Sequence, residues 1–321
     1  MAGPYILVAQ GLTALREATY LTDAGVSTSD GLEFITAKLT VNDAYDGSRA
    51  DVQHGTGGTL PPTRSAGRTV GLSITGEMKG RGSAFTDPLT QLPLYHVMLG
   101  CGLSGTVAGG AVTMSPVRPD KSGSWSCGFY TNDTYFNVVG IRGSIRFRGN
   151  HAERGMWEFT GNGVLADNYP VSQTLPTITY PNQAQLPPVY VGDSPALGSW
   201  TPVVNSFDIN IANTVAARGD GGHSDGHAGW LLTNRAVTWA FPGEAVDMST
   251  YTPFSTSYSG TTAALAIVHG SGVTGHSFAF AAAKASIRPP ELTDDSGRLM
   301  WNLNGSCAVS SGNDELTITI S

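Results

Sequence analysis

The chain has 321 residues, of which 13% are charged and 40% are hydrophobic, and its formal net charge at pH 7 is −7. Globular proteins usually have about 25% charged residues, so the composition favours a β-rich protein whose sparsely charged flanks are covered by neighbours. Nucleic-acid binding by counterion release needs clustered Lys and Arg, and the acidic balance argues against a basic cleft of that kind.

The cysteines and the N-terminus favour a protein made in a reducing cytosol. Cys101, Cys127 and Cys307 are odd in number and lack a Cys-x-x-Cys spacing, so neither a disulfide framework nor a structural zinc site is predicted. The longest apolar run near the N-terminus, residues 5–9, is too short for a signal-peptide core or a membrane span. We therefore expect no membrane partner.

Alternating apolar residues predict strands in the first half of the chain. Residues 1–30 are interpreted as an N-terminal arm, and two strands with one apolar face are predicted within residues 35–41 and 68–77. The stretch between them, residues 43–67, is rich in Gly, Asp, Arg and Pro. Loops longer than about 12–15 residues are uncommon without a function, so we expect this loop to become ordered against something outside its domain.

A short helix is predicted over residues 87–100. Asp87 followed by Pro88 is typical of a helix start, and apolar residues then recur at helical spacing until Gly100. Such a helix would cover one face of a sheet.

A predicted hairpin occurs twice. Residues 144–164 contain Ser-Ile-Arg followed by a polar turn and a strand with Trp157, and residues 286–305 contain Ser-Ile-Arg followed by a strand with Trp301. The two Ser-Ile-Arg triplets are 142 positions apart and the two tryptophans 144, which predicts a turn two residues longer in the second copy. Turns of a sheet tolerate such insertions.

Two further blocks recur in the same order. The alternating strand of residues 68–77 is repeated at residues 235–244, at an offset of 167, and residues 135–138 are repeated at residues 277–280. A second long loop, residues 216–233, matches the first. Internal repeats of this kind determine the architecture of a chain, so we predict an internal duplication.

The proline-rich stretch between the copies predicts a stiff, extended connector. A chain of this length can hold two domains, since single domains cluster near roughly 100–150 residues. We predict an all-β protein with a short helix and two tandem β-sandwich or barrel domains arising from duplication. The predicted divisions are residues 1–30 (arm), 31–167 (first domain), 168–202 (linker) and 203–321 (second domain).

No catalytic, cofactor-binding or metal-binding residue is predicted, and we do not expect an enzyme. The chain lacks a Gly-x-Ser-x-Gly elbow, a His-Glu-x-x-His helix, a P-loop and a dinucleotide fingerprint. His223, Asp225 and His227, with Asp220 nearby, could ligate a metal from a flexible loop. No third ordered ligand is evident in the sequence, so a solvated loop or a loop between assembled copies is favoured.

Three aromatic residues allow a different kind of binding site. Trp125, Tyr130 and Tyr135 could form a sugar-binding platform on a lectin-like β-sandwich. Their alternating placement on predicted strands favours instead a hydrophobic core or a subunit interface.

Four motifs resemble the tail tube (major tail) proteins of long-tailed bacteriophages, of the siphophage and Mu-like kinds. Residues 16–20, Arg-Glu-Ala-Thr-Tyr, are similar to the family's N-terminal Lys/Arg-Glu-x-Thr-Tyr-Gly signature, with Leu21 where Gly is usual. Residues 65–77 resemble the strand after the long loop, residues 92–103 the Pro-x-x-x-Leu-Leu-x-x-Cys-Gly helix end, and residues 139–161 the closing hairpin. The second half resembles the family mainly through the internal repeat.

The resemblance implies a structural virion protein made of two tandem tail-tube-like domains. Hairpins of neighbouring subunits would join into one barrel, and rings would stack into a hollow tube for DNA and tape-measure protein. A two-domain chain would need only three copies for a pseudo-hexameric ring. The implied partners are further copies of the chain, the tape-measure, tail terminator and tail tip proteins, and double-stranded DNA in transient, non-specific passage. The implied location is the virion tail, assembled in the host bacterial cytoplasm.

Within that resemblance, three carboxylates on or beside the repeated strands are candidates for the bore, where acidic groups would repel DNA phosphates. These are Glu77, Glu158 and Glu244. The candidate inter-ring loop residues are Gly55, Gly57, Gly58, Gly219, Asp220, Gly221 and Gly222. The alternative is a β-sandwich receptor-binding or capsid-decoration protein, which would carry its function on the loop tips of one domain.

Overall fold

The computed structural model describes residues 10–45, 65–166, 170–193, 195–222 and 226–321. Strands make up 52% of the protein, helices are few, and the strands form two sheets. The prediction of an all-β fold with short helical segments is therefore confirmed.

The strands follow the alternating apolar residues of the sequence, and the helices are short. The helices are α1 (Pro88–Gln91), α2 (Pro93–Gly100) and α3 (Pro253–Tyr258). The strands are β1 (Gln10–Arg16), β2 (Thr36–Tyr45), β3 (Ser65–Glu77), β4 (Leu103–Ala108), β5 (Ala111–Pro116), β6 (Trp125–Thr131), β7 (Thr134–Asn150), β8 (Met156–Leu165), β9 (Val171–Ser172), β10 (Ala196–Leu197), β11 (Ser206–Gly219), β12 (His227–Glu244), β13 (Ala263–His269), β14 (Phe278–Ala285), β15 (Glu291–Asp295), β16 (Arg298–Ser306) and β17 (Thr317–Ile320).

A large antiparallel sheet organises the molecule. Eight of its strands lie side by side in the order β15-β16-β12-β11-β7-β8-β3-β2, and every neighbouring pair on this path is antiparallel. Strands β1, β6 and β9 belong to the same sheet through β7. The second sheet has the order β10-β13-β14-β17-β5-β4. Both sheets therefore combine strands from the two halves of the chain.

The hydrophobic core lies between the inner face of the eight-strand path and the strands that pack against it, which are the second sheet together with β1 and β6 of the large sheet. Trp157 and Phe159 on β8 alternate with Glu158, and both aromatic side chains are buried. Phe147 on β7 contacts Phe280 of the second sheet, with ring centroids 5.2 Å apart. Full burial of one such side chain contributes roughly 1.5–3 kcal/mol, so these facing apolar rows hold the sheets together.

Residues 87–100 form two short helices instead of the single predicted helix. Asp87 caps α1 as expected, since its carboxylate accepts a hydrogen bond from the Leu89 N–H at 3.1 Å. Leu92 then leaves the helical conformation because the residue before a proline, here Pro93, is driven towards extended backbone. Nearly all of α2 is buried, so it is a core element.

His96 on α2 is buried as a neutral ring. Its Nδ1 accepts a hydrogen bond from the Arg16 N–H at 3.2 Å, and its Nε2 lies 2.9 Å from the Leu89 carbonyl oxygen, to which it can donate. Burial lowers the pKa of His96 to about 4. A proton on Nδ1 would also remove the acceptor that the Arg16 N–H uses.

We expect acid to weaken the fold through His96. The unfolded side chain has a pKa near 6.5, so this contribution to stability is complete above about pH 6.5 and is lost as the pH falls towards 4, by roughly 3 kcal/mol. Urea unfolding near pH 7 and near pH 4.5 measures the loss. His96→Gln keeps a donor and an acceptor but does not titrate, so the variant should lose less; equal losses would contradict the assignment.

The second predicted loop, residues 216–233, is mainly strand. Strand β11 continues to Gly219 and β12 begins at His227, so most of the predicted loop belongs to these two strands. The prediction was wrong here because the abundant Gly, Asp and Ser of the tip hid the strand pattern around it. Of the first predicted loop, residues 43–67, the ends belong to β2 and β3, and residues 46–64 lie outside the described residues.

The described parts of the proline-rich segment, residues 168–202, contact both halves of the chain. In the first half, β9 pairs with β7 and Asn182 Nδ2 donates a hydrogen bond to the Gln91 carbonyl oxygen at 2.8 Å. Tyr190 is 2% exposed and its ring lies 5.1 Å from that of Phe207. Trp200 stacks on Tyr251 with ring centroids 4.4 Å apart. Aromatic packing thus fixes this end of the segment.

Candidate assembly surfaces

Strands β7 and β11 join the two halves of the large sheet. Ile209 lies directly opposite Phe147, and both side chains are fully buried. On the other face of the sheet, Arg146 Nε donates a hydrogen bond to Asp208 Oδ2 at 2.7 Å. This joint therefore combines an apolar pair on the core face with an ion pair on the outer face.

The three candidate bore carboxylates share the outer face of the large sheet. They are Glu77, Glu158 and Glu244. Trp157 and Trp301 point into the core, and they lie opposite Gly76 and Gly243 respectively. The residues that directly precede the three carboxylates are Gly76, Trp157 and Gly243, which are on the core face. Because consecutive strand residues point to opposite faces, the carboxylates lie on the outer face.

Two of these carboxylates are paired with arginines. Glu158 lies 2.6 Å from Arg148 Nη2 and 3.7 Å from Arg146 Nη1, and Glu77 pairs with Arg154. Exposed ion pairs contribute only about 0–1 kcal/mol, so their main effect is to neutralise this face. Strands β7 and β11 separate Glu158 from the strand of Glu244, so the three carboxylates do not form one cluster.

Strands β2 and β15 are the two ends of the eight-strand path, and each pairs with one strand only within the described residues. Val41 on β2 is 41% exposed, and Leu292 on β15 is 58% exposed. Strand β15 also carries Glu291, Asp294 and Asp295. A free strand edge with exposed apolar side chains is a template for pairing with another chain.

The predicted inter-ring residues fall into two groups. Gly55, Gly57 and Gly58 lie outside the described residues. Gly219 is the last residue of β11, and Asp220, Gly221 and Gly222 follow it at the hairpin tip. The Asp220 carboxylate accepts a hydrogen bond from the Gly222 N–H at 2.9 Å, which shapes the turn.

Glu17, which belongs to the Arg-Glu-Ala-Thr-Tyr motif of residues 16–20, forms a buried hydrogen-bond network that the sequence did not predict. Glu17 is only 6% exposed, and its carboxylate accepts four hydrogen bonds. The donors are Ser124 Oγ at 2.6 Å, Ser126 Oγ at 2.9 Å, the Gly140 N–H at 2.6 Å and the Leu21 N–H at 3.0 Å. Glu17 therefore fastens the segment after β1 to β6 and β7.

Tyr20 and Arg142 connect the same region to β12. The Arg142 guanidinium lies over the Tyr20 ring, 4.1 Å from its centroid. Arg142 Nη1 donates to the Trp230 carbonyl at 2.8 Å, and the Tyr20 hydroxyl also hydrogen-bonds Trp230. The contact crosses from the first half of the chain to the hairpin of the second half.

Arg235 and Glu315 form a buried ion pair, with Nε and Oε1 2.5 Å apart and side chains 10% and 8% exposed. Arg235 Nη1 also donates to the Val117 carbonyl at 2.8 Å. A sequence signal for this burial existed, because Arg235 has the same period-2 phase as the core residues Val237 and Trp239.

The structure places two of the three possible sugar-platform residues in the interior. Trp125 is fully buried and packs edge-on against Phe159, with ring centroids 5.5 Å apart, and Tyr130 is 5% exposed. Tyr130 packs against Tyr135 at 4.6 Å. Rings in the core cannot stack on a sugar, so these residues do not form such a platform.

A cleft of about 420 Å³ opens beside the end of β3. Its walls include Glu77, Trp157 and Tyr180, together with Lys79 and Glu33. Lys79 and Glu33 are ion-paired. The apolar wall and paired charges make this cleft the feature that would suit a small-ligand or peptide-binding protein.

Comparison with protein-family models and with curated protein sequences returns no match to this chain. Among the described residues, no helix has the length and apolar character required to cross a bilayer.

Proposed function

We propose that this protein is a structural virion subunit that forms rings, which stack into the hollow tube of a phage tail. The observation that carries the proposal is the order of strands in the large sheet. The first half contributes β7-β8-β3-β2 and the second half β15-β16-β12-β11, so the two halves repeat one order head to tail.

The strand registers support a duplication behind this order. Gly76 lies opposite Trp157 and Gly243 opposite Trp301, at the offsets of 167 and 144 found in the sequence. The registers also align the strand before Trp301 with the first copy differently from the Ser-Ile-Arg triplets. The prediction of a longer turn in the second copy is wrong. Leu292, and not the residue 142 positions after Phe147, lies opposite Trp301, because the extra residues precede β15. Two residues join β15 to β16, whereas five join β7 to β8.

A head-to-tail repeat suits a ring. Contacts of this heterologous kind close into rings when the rotation between units permits, and each chain would supply two units. Three copies would place twenty-four strands around one barrel, given eight strands on the path of each chain. Rings stacked through loops would form the conduit, with the tape-measure, tail terminator and tail tip proteins as partners.

The outer face of the large sheet is the proposed lining of the bore. Its carboxylates Glu77 and Glu158 are paired with arginines, so the face offers DNA neither a basic patch nor a strongly repelling one. Phosphate binding needs unpaired clustered cations. Transient, non-specific passage of double-stranded DNA is the behaviour that such a surface supports.

Negative-stain electron microscopy of the purified protein, with rotational averaging of end-on views, tests the function. We expect rings with three-fold symmetry, six similar lobes and an open bore, and stacks of such rings at higher concentration. A protein that stays monomeric at high concentration and binds a ligand in the cleft beside β3 would overturn the proposal in favour of a β-sandwich receptor-binding or capsid-decoration protein.

A further inference from the structure

We propose that β2 of one copy pairs with β15 of a second copy, in the register that β11 and β7 adopt within one chain. The inference rests on the proposed ring and specifies its joint. It places Leu39 opposite Leu292, Lys38 opposite Thr293 and Thr40 opposite Glu291. In this arrangement, the free edge of β2 in each copy is covered by the free edge of β15 in a neighbouring copy of the same chain.

The β2 side of the register follows from matching positions in the two half-sheets. Leu39 lies opposite Leu72 on β3, and Ile209 lies opposite Trp239 on β12. Leu72 and Trp239 are separated by the repeat offset of 167. Leu39 on the free edge is therefore the counterpart of Ile209 at the internal joint.

The β15 side follows in the same way. Phe147 lies opposite Trp157, and Leu292 lies opposite Trp301, so Leu292 is the counterpart of Phe147. Since Ile209 and Phe147 are direct partners, Leu39 and Leu292 become direct partners across the joint between copies.

Exposed apolar side chains support this joint. Leu292 is 58% exposed, whereas its counterpart Phe147 is fully buried. Val41 is 41% exposed, whereas its counterpart Ile211 is fully buried. The pairing would cover the free-edge residues as the internal joint covers theirs, and removal of such apolar surface from water drives association.

The charges at the two edges are complementary. At the internal joint, Asp208 on β11 pairs with Arg146 on β7. The counterparts of these residues on the free edges are Lys38 and Glu291, so the same ion pair would form with its signs exchanged. Both side chains are exposed in the single chain, and diagonal neighbours on one face of a sheet are within reach of long side chains.

Self-pairing of one edge is less suited to the structure. Strand β15 carries Glu291, Asp294 and Asp295 within five residues, and like charges opposite each other destabilise a pair of strands. The even number of antiparallel strands on the path makes β2 and β15 run in opposite directions. Copies related by rotation alone can therefore continue the antiparallel sheet.

Disulfide trapping tests the register. In the double variant Lys38→Cys with Thr293→Cys, the two cysteines would face each other between copies, at the Cα spacing of about 4.5–5.5 Å of opposite antiparallel residues. Arg148→Cys with Asp208→Cys is the matched control, because these residues are opposite within one chain. Oxidation should give covalent multimers of the first variant and an intrachain disulfide in the second.

Two more controls define the result. Lys38→Cys with Leu292→Cys puts the cysteines on opposite faces of the proposed joint and should give no multimers. Oxidation of the parent protein measures how many covalent multimers form through its own free cysteines, which are Cys101, Cys127 and Cys307. Rings in the microscope without multimers of the Lys38→Cys, Thr293→Cys variant would overturn the register and leave the ring function standing.

Charge exchange tests the ion pair. Lys38→Glu or Glu291→Lys alone should weaken each joint roughly tenfold, because a favourable pair is replaced by a repulsive one, and the double exchange should restore assembly. Lys121→Glu, in an exposed turn outside both edge strands, should assemble normally.

The readout is ring yield against protein concentration. If the single variants assemble like the parent, or the double exchange does not recover, the proposed pairing of β2 with β15 is overturned. If the parent itself forms no rings, the proposed function fails.

Discussion

Replacing Glu17 with Ala is expected to destabilise the protein by roughly 3–5 kcal/mol, since each buried donor that loses its acceptor costs about 1–3 kcal/mol. Ser124 and Ser126 can turn their hydroxyls elsewhere, but the N–H groups of Gly140 and Leu21 are fixed by the backbone and lose their acceptor. Chemical denaturation followed by tryptophan fluorescence gives the free energy of unfolding.

Two comparisons separate the network from a general effect of the substitution. Glu17→Gln keeps the shape and one acceptor oxygen, but its amide meets a backbone N–H, so we expect an intermediate loss. Glu153→Ala removes an exposed carboxylate that accepts a hydrogen bond from Asn150 and should change stability little. A loss for Glu17→Ala no larger than that for Glu153→Ala would show that the network does not support the fold.

Replacing Arg235 with Met is the second substitution with a large expected effect. It leaves the buried Glu315 carboxylate without its cation, and breaking a buried ion pair in this way costs roughly 3–5 kcal/mol. The measurement is again the free energy of unfolding by denaturant, at constant pH and salt.

The double variant Arg235→Met with Glu315→Leu is the decisive comparison. Replacing both members of a buried pair by apolar residues of similar volume is often close to neutral, although the Val117 carbonyl still loses its Arg235 donor. We expect the double variant to recover most of the stability lost by Arg235→Met. A double variant as unstable as the sum of its single changes would mean that the two side chains act independently.

The sequence predicted features that depend on local pattern. Period-2 alternation located the core faces of β3, β8, β12 and β16, because burial on one face imposes that pattern. Asp87 was recognised as a helix cap because its partner, the Leu89 N–H, lies two residues away. The Trp157 and Trp301 strands were matched by their tryptophans, and in the structure each tryptophan lies opposite a glycine.

Features that depend on distant partners were not predictable. Glu17 binds donors more than 100 positions away, and nothing beside it in the sequence specifies them. Hairpin β4–β5 and strand β17 lie outside the blocks that were matched in the sequence and were not predicted. The two Ser-Ile-Arg triplets are similar in sequence but do not occupy equivalent positions in the sheet. Pro289 and Pro290 follow the second triplet, and the ladder between β15 and β16 begins only after them.

The long sequence separations in both sheets have a kinetic consequence. Met114 on β5 pairs with Ile318 on β17, about two hundred positions later, and folding slows as the contacts that define a topology become more distant in sequence. Hairpins such as β15–β16, whose strands are joined by Ser296 and Gly297, are local and form within microseconds. The edge of β15 is then present long before the sheets are complete, so misassembly on this edge is the expected hazard during folding, and a slower rate of production should raise the yield of native chains.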